Sequence, residues 1–286
     1  MITRDVEASA VADLALSPPR AALAVTVDGE ILVLPVSVTL EEPADPASSP
    51  RIVQVPEGNP DLADRNVVVI ADDGPQWFRL RSLTVRGMAK ALGHWTYRVM
   101  PKRIVAWDYG SLREVPTTSE PPIPLQASFS VAGEKDDVQP FRSPNLEAAL
   151  GRSRVMILAS RSHNGTPFAV PLWFVPHHGR IYATTSASSW TVRNVVASPQ
   201  VAVLLGGEGR DTANRLLVRG CARAVRGIPP PALLARIAWL YYLQPHFAAV
   251  ELSHIRLWAL RMRYYGQSQA ARIVITPQTA TACRAP

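Results

Sequence analysis

Residues 184–193 read Thr-Thr-Ser-Ala-Ser-Ser-Trp-Thr-Val-Arg, six hydroxyls and one guanidinium within ten positions. A strand that ends here and flows into a helix begun at Ser189 presents unpaired backbone N–H groups and the positive end of a helix dipole. Thr184, Thr185, Ser186, Ser188, Ser189 and Thr191 add donors, and Arg193 adds a charge. That is chemistry for holding a phosphate. The plainer alternative is that Ser189 only caps the helix and Arg193 is solvated. Trp190 could cover a ring or simply pack its helix.

Other chemistry is sparse. The sequence has no Ser-His-Asp order, Walker loop, HExxH helix or pair of carboxylates placed for acid–base work, so no catalytic residue is assigned. His163 and the His177-His178 pair fall in hairpin turns, where exposure is the ordinary state, and His94 falls in another turn. His246 and His254 lie in an apolar segment, and either could be an axial haem ligand. Hydrogen-bonded packing is the better default for both. Cys221 and Cys283 lack metal spacing and suggest two reduced thiols rather than a disulfide framework. Arg86 and Arg219 alternate with apolar neighbours, as a solvated barrel face would. In a cleft they could instead meet an anionic ligand.

The phosphate-type loop needs a scaffold, and residues 154–205 supply one. Apolar, β-branched runs at 155–159, 168–175 and 180–185 are separated by Asn164-Gly165 and by 176–179, the pattern of an antiparallel meander. A helix over 190–197 follows, ended at Pro199, and then a strand over 201–205. Upstream, helical spacing marks 5–16, and strands are expected at 21–27, 30–40, 51–55, 67–71, 76–91 and 97–107. Residues 145–151 form a short helix, and 231–243 an apolar one with proline near its start. A further apolar segment covers 251–265.

The chain repeats itself. Val85-Arg86-Gly87-Met88-Ala89-Lys90-Ala91 returns as Val218-Arg219-Gly220-Cys221-Ala222-Arg223-Ala224, and Val67 and Pro35 return as Val201 and Pro171. The spacing is about 133–136 residues throughout, which argues for duplication. Residues 116–140 are a Pro-rich linker between the copies. The second copy is about forty residues longer near its end, with Pro101 and Pro277 opening equivalent last strands. In place of the hydroxyl-rich loop, residues 57–66 of the first copy carry Glu57, Asp61 and Asp64, which would repel phosphate. One competent site is therefore expected.

The order Asn164-Gly165-Thr166-Pro167, Val170-Pro171-Leu172-Trp173-Phe174-Val175, Gly179-Arg180-Ile181-Tyr182-Ala183-Thr184-Thr185, Ser189, Val192-Arg193-Asn194 and Pro199-Gln200-Val201-Ala202-Val203 resembles the pyridoxamine 5′-phosphate oxidase-like superfamily, the FMN-binding split β-barrels. The resemblance implies a β-dominated α+β fold with two split β-barrels in one chain forming a pseudo-dimer. Residues 1–115 would be a degenerate barrel, and 141–286 a barrel with helices inserted at about 228–266. It implies a flavin-dependent oxidoreductase moving hydride to or from a small molecule. FMN would be the cofactor, with a deazaflavin or haem as alternatives. The strand at Pro171, Leu172 and Trp173 would run along the flavin ring, and Thr184, Thr185, Ser186, Ser189, Trp190, Thr191 and Arg193 would hold the rest. Family members usually carry lysine where Thr191 stands, so a weakened phosphate contact is expected. The Arg-x-His ending of pyridoxamine-phosphate oxidase itself is absent. The segment around His246 and His254 resembles a haem-utilisation branch, which keeps open a haem-binding enzyme or a non-catalytic binder or scaffold.

Composition narrows the classes further. The 286-residue chain is 47% hydrophobic and 19% charged, with a formal net charge of +7. Its basic residues are mostly single arginines on alternating positions, with no basic arm or recognition helix, so no nucleic-acid partner is expected. No apolar window is long enough to span a bilayer, and no signal-peptide pattern is seen. The expectation is a cytoplasmic protein with a small-molecule substrate, whose pseudo-dimer within one chain could serve as a monomer.

Overall fold

A computed structural model describes residues 4–42, 48–74, 80–108, 138–207, 214–245 and 270–286, together with positions 248, 249, 252 and 255. The first copy opens with β1 (Arg4–Val6), a 3-10 turn (Ala8–Val11) and α1 (Ala12–Leu16). Then come β2 (Arg20–Val27), β3 (Glu30–Pro35), β4 (Ser37–Leu40), β5 (Arg51–Gln54), β6 (Asn66–Asp72), β7 (Arg81–Gly93) and β8 (Thr96–Asp108). The second copy comprises α2 (Pro144–Arg152), β9 (Val155–Arg161), β10 (Pro167–Trp173), β11 (Val175–His177) and β12 (Arg180–Ser186). It continues with α3 (Trp190–Ala197), β13 (Gln200–Gly206), β14 (Asn214–Arg226), α4 (Pro231–Tyr241) and β15 (Ala270–Arg284).

The two sheets have the same strand order. The first runs β3-β2-β6-β7-β8-β5-β4, with β1 also paired to β8, and the second runs β10-β9-β13-β14-β15-β12-β11. Every pairing is antiparallel. The duplication legible in the sequence is thus a duplication of fold: two curled, β-dominated split barrels in one chain.

Each barrel is filled from alternate strand positions, as a period-2 pattern requires. Leu23, Val25, Val53, Val69, Val85 and Val99 fill the first, and Met156, Leu158, Ile181, Val203, Val218 and Ile273 fill the second. The opposite faces of the same strands form a third core between the copies. Ala22, Ala24, Ile31, Val33, Val68 and Ile70 of one pack on Ile157, Ala159, Ala169, Ala202 and Leu204 of the other. Strands buried on both faces explain the near-continuous apolar runs at 21–25, 67–71 and 155–159.

The structure corrects several expectations. The strand expected over 30–40 is two, β3 and β4, and the run at 168–175 is likewise β10 and β11. In each copy the chain leaves one edge of the curled sheet at this corner and pairs at the opposite edge. The corner bonds match: Val36 N–H donates to the Ala21 carbonyl at 3.3 Å and Phe174 N–H to the Arg154 carbonyl at 3.3 Å. Pro101 and Pro277 do not open strands but lie inside β8 and β15, opposite Gly87 and Gly220, where the ladder register shifts. A bulge tolerates the missing proline N–H. The glycines opposite are required by space: a Cβ on Gly220 would sit 2.6 Å from the Thr276 carbonyl oxygen, and one on Gly87 would run into that of Met100. The leading helix expected over 5–16 is a short strand, a 3-10 turn and five helical residues. Most of the linker, most of the segment at 251–265, and both His246 and His254 lie outside the described residues.

Candidate functional site

In β12, Ile181 and Ala183 point into the second core, which leaves Tyr182 and Thr184 on the outer face. The strand ends in a turn closed by its own serines. The Ser186 and Ser188 hydroxyls are 2.8 Å apart, and Ser188 N–H donates to Ser186 Oγ at 3.3 Å. Ser189 caps α3, its Oγ accepting from Val192 N–H at 3.3 Å. Three of the six hydroxyls are therefore engaged in shaping the loop, and the cap reading of Ser189 holds.

Helix α3 lays Val192 and Val195 on the barrel core. Asn194 Nδ2 donates to Ser160 Oγ at 3.3 Å, a buried contact that ties the helix to β9. Thr191 lies on this packed side, 4% exposed. Trp190 faces the other way and is 60% exposed. The Arg193 guanidinium carbon stands 4.9 Å from the centre of the Trp190 ring. Arg193 Nε is buried and has no hydrogen-bond partner among the described residues. The loop thus offers a fixed, stacked cation with spare donor capacity beside a helix N-terminus.

The three β10 residues divide. Pro171 is buried and Leu172 packs against the barrel core. Trp173 turns to a separate cluster around Val175, Leu233 and Tyr241, joined by Tyr182, Ile237 and Leu240. The inserted helix α4 thus sits over the strand expected to run along a ring. Tyr241 pins it there: its hydroxyl is 2.6 Å from the Phe174 carbonyl and 2.8 Å from the Arg154 carbonyl, and it accepts from Phe174 N–H at 3.2 Å.

Arg272 was not singled out from the sequence. It pairs with Thr184 in the β12–β15 ladder, is 9% exposed, and donates to the Ile228 carbonyl at 3.2 Å. Burial, and then the nearby Arg223, hold its guanidinium below the ordinary arginine range. Its signal in the sequence is a charge amid the apolar run Ala270–Thr276, which reads as a paired structural arginine just as well.

The equivalent loop of the first copy has no helix. Leu62 plugs it, fully buried, and its N–H donates to the Tyr97 hydroxyl at 3.3 Å. Tyr97 donates to Asp61 at 3.1 Å, and Lys90 pairs with Asp64. The Ala63 N–H, and then the Tyr97 hydroxyl, hold the Asp61 carboxyl below its usual range. That loop is acidic and closed by its own side chains. Among the described residues no three His, Cys, Asp or Glu gather as a metal site, and no helix is long and apolar enough to cross a membrane.

Residues 143–266 match the family model described as pyridoxamine 5′-phosphate oxidase. This part of the chain is similar to the pyridoxamine 5′-phosphate oxidase family. No curated protein matches the chain significantly. Solved structures with some likeness include a putative pyridoxamine 5′-phosphate oxidase from Listeria innocua, 18% identical over 48% of this chain and 94% of that one, with a TM-score of 0.32. A FAD-binding protein from Mesorhizobium loti is 17% identical over 51% and 96%, with a TM-score of 0.35. A haem storage protein from Vibrio cholerae is 17% identical over 50% and 94%, with a TM-score of 0.36.

Proposed function

We propose that the chain is a flavin-type oxidoreductase of this superfamily that binds one cofactor, with its phosphate end at residues 184–193. The observation that carries the reading is Arg193, a cation stacked on exposed Trp190, with a buried Nε left over. A phosphate oxygen would satisfy that donor, in the charge-assisted manner that guanidinium favours. The fit is partial. Thr191 is packed under the helix, so the position the family fills with lysine gives no charge here. When bound, the flavin supplies the hydride chemistry. Ser189 fixes where the helix begins, Trp190 fixes the plane of Arg193, and α4 shields the Trp173 side from water. FMN is the candidate cofactor, with a deazaflavin as its variant and haem as the alternative that would replace this reading.

The test is the absorption spectrum of the purified full chain, followed by equilibrium titration with FMN, a deazaflavin and haem in turn. A flavin or deazaflavin bound at about one per chain, and weakened by Arg193→Glu by about ten- to a hundredfold, supports the reading. Two equal sites, tight haem binding alone, or indifference to Arg193→Glu would overturn it.

A further inference from the structure

The first copy faces the second with an uncompensated pair of arginines. In β7, Leu83 and Val85 point into the first barrel, so Arg86 rises from the opposite face. Arg103 is its ladder partner on β8 and rises beside it. On β6, Arg86 is opposite Val68, which belongs to the core between the copies. This face therefore continues the edge of that interface. Arg86 reaches across it, its guanidinium carbon 5.2 Å from the centre of the Phe168 ring on β10.

The repeat supplies an internal control. The counterpart of Arg86 is Arg219, which also reaches across the interface but forms an ion pair with Glu30 at 2.8 Å. The ladder partner of Arg219 is Thr279, with no charge. One edge of the pseudo-dimer is thus neutralised, while its twin holds two like charges. No carboxylate among the described residues pairs with Arg86 or Arg103, and Arg86 Nε is buried without a hydrogen-bond partner. Burial, and then repulsion from Arg103, depress the Arg86 pKa. An anion between the two guanidinium groups would relieve both effects, and the Phe168 ring would hold the Arg86 fork in one plane.

We propose that Arg86 and Arg103 form an anion subsite for the phosphate or carboxylate of a small molecule, supplied by the first copy to the second. The identity of that molecule as a substrate or cofactor tail rests on the proposed function; the subsite itself does not. Phe168 lies three residues before Pro171 on β10, about 10 Å along the strand.

The experiment is isothermal titration of the full chain at low ionic strength with inorganic pyrophosphate, and separately with succinate. The proteins are Arg193→Glu alone, so that the 184–193 loop cannot contribute, and that variant combined with Arg86→Gln, Arg103→Gln or Arg219→Gln. Binding should persist with Arg193→Glu alone, and fall about tenfold or more with Arg86→Gln or Arg103→Gln. Arg219→Gln should leave it unchanged. Arg103 is exposed, so its variant tests the idea even if Arg86→Gln fails to fold. Preference for pyrophosphate or for succinate identifies the group taken. Loss of all binding with Arg193→Glu alone, or equal loss with Arg219→Gln, overturns the subsite. Flavin binding weakened by Arg193→Glu while pyrophosphate still binds through Arg86 and Arg103 is the expected pattern. Pyrophosphate bound this way in a protein that takes no flavin would refute the cofactor reading and leave the subsite standing.

Discussion

Removing Asp72 should unfold this protein far more readily than removing both Asp72 and its partner. Arg20 is 2% exposed and Asp72 0%. Arg20 Nε donates to both carboxylate oxygens of Asp72, at 2.9 and 3.1 Å, and Nη2 lies 2.6 Å from Oδ1. The same guanidinium donates across the interface to the Val155 carbonyl at 3.2 Å, and Gly74 N–H donates to Asp72 at 3.1 Å. Asp72→Ala leaves the Arg20 cation buried without its carboxylate, at a cost of about 3–5 kcal/mol. With a urea slope of about 3 kcal/mol/M for a chain of this size, the denaturation midpoint should fall by about 1–2 M. The double variant Arg20→Met, Asp72→Leu buries no charge and should regain most of that loss, or exceed wild type. The assay is urea unfolding followed by tryptophan fluorescence and by circular dichroism. A single variant costing less than about 1 kcal/mol, or a double variant as weak as the single, would refute the reasoning.

Three further outcomes are expected. Gly220→Ala places a Cβ 2.6 Å from the Thr276 carbonyl oxygen and should cost about 1–3 kcal/mol in thermal unfolding, while Gly151→Ala, on exposed helix with nothing within 4 Å of the new Cβ, should cost nothing. Tyr241→Phe removes the hydroxyl that binds Phe174 and Arg154 and should cost about 1–3 kcal/mol, with proteolysis of α4 as the readout. Burial pushes the Cys283 thiol up to about 11. Its alkylation, followed by peptide mass spectrometry, should be slow at pH 8 and rise steeply only towards that value. Because the folded-state value is raised, this thiol's contribution to stability is complete below about pH 8.5, the unfolded value. It is lost as pH climbs through the folded one.

Much of the scaffold was legible because both copies write it in the same strand-length apolar runs. The break between β3 and β4 was not, because Pro35-Val36-Ser37 continues the alternation while the chain changes its partner strand. Pairing is a long-range choice, and nothing local at Val36 records it. The hydroxyl loop and its cap were readable from Ser189 and the helix after it. The packing of Thr191 was hidden because Thr191 and Asn194 share the buried face with Val192 and Val195, and two polar residues blur an apolar stripe. Contacts between the copies, such as Arg86 on Phe168 and Arg20 on Val155, join residues far apart in sequence and leave no pattern for a single chain to show.

The core between the copies has a consequence for concentration. Were the two barrels separate molecules, that core would form only above their dissociation constant and would be lost on dilution. Here one barrel is tethered to the other, so closure is an intramolecular event governed by an effective concentration that dilution cannot lower. The core between the copies should then stay formed as the protein is diluted. The same tether frees the two edges from repeating one another. In a symmetric pair every substitution arrives twice, whereas here Glu30 can neutralise one arginine while its twin keeps its charge.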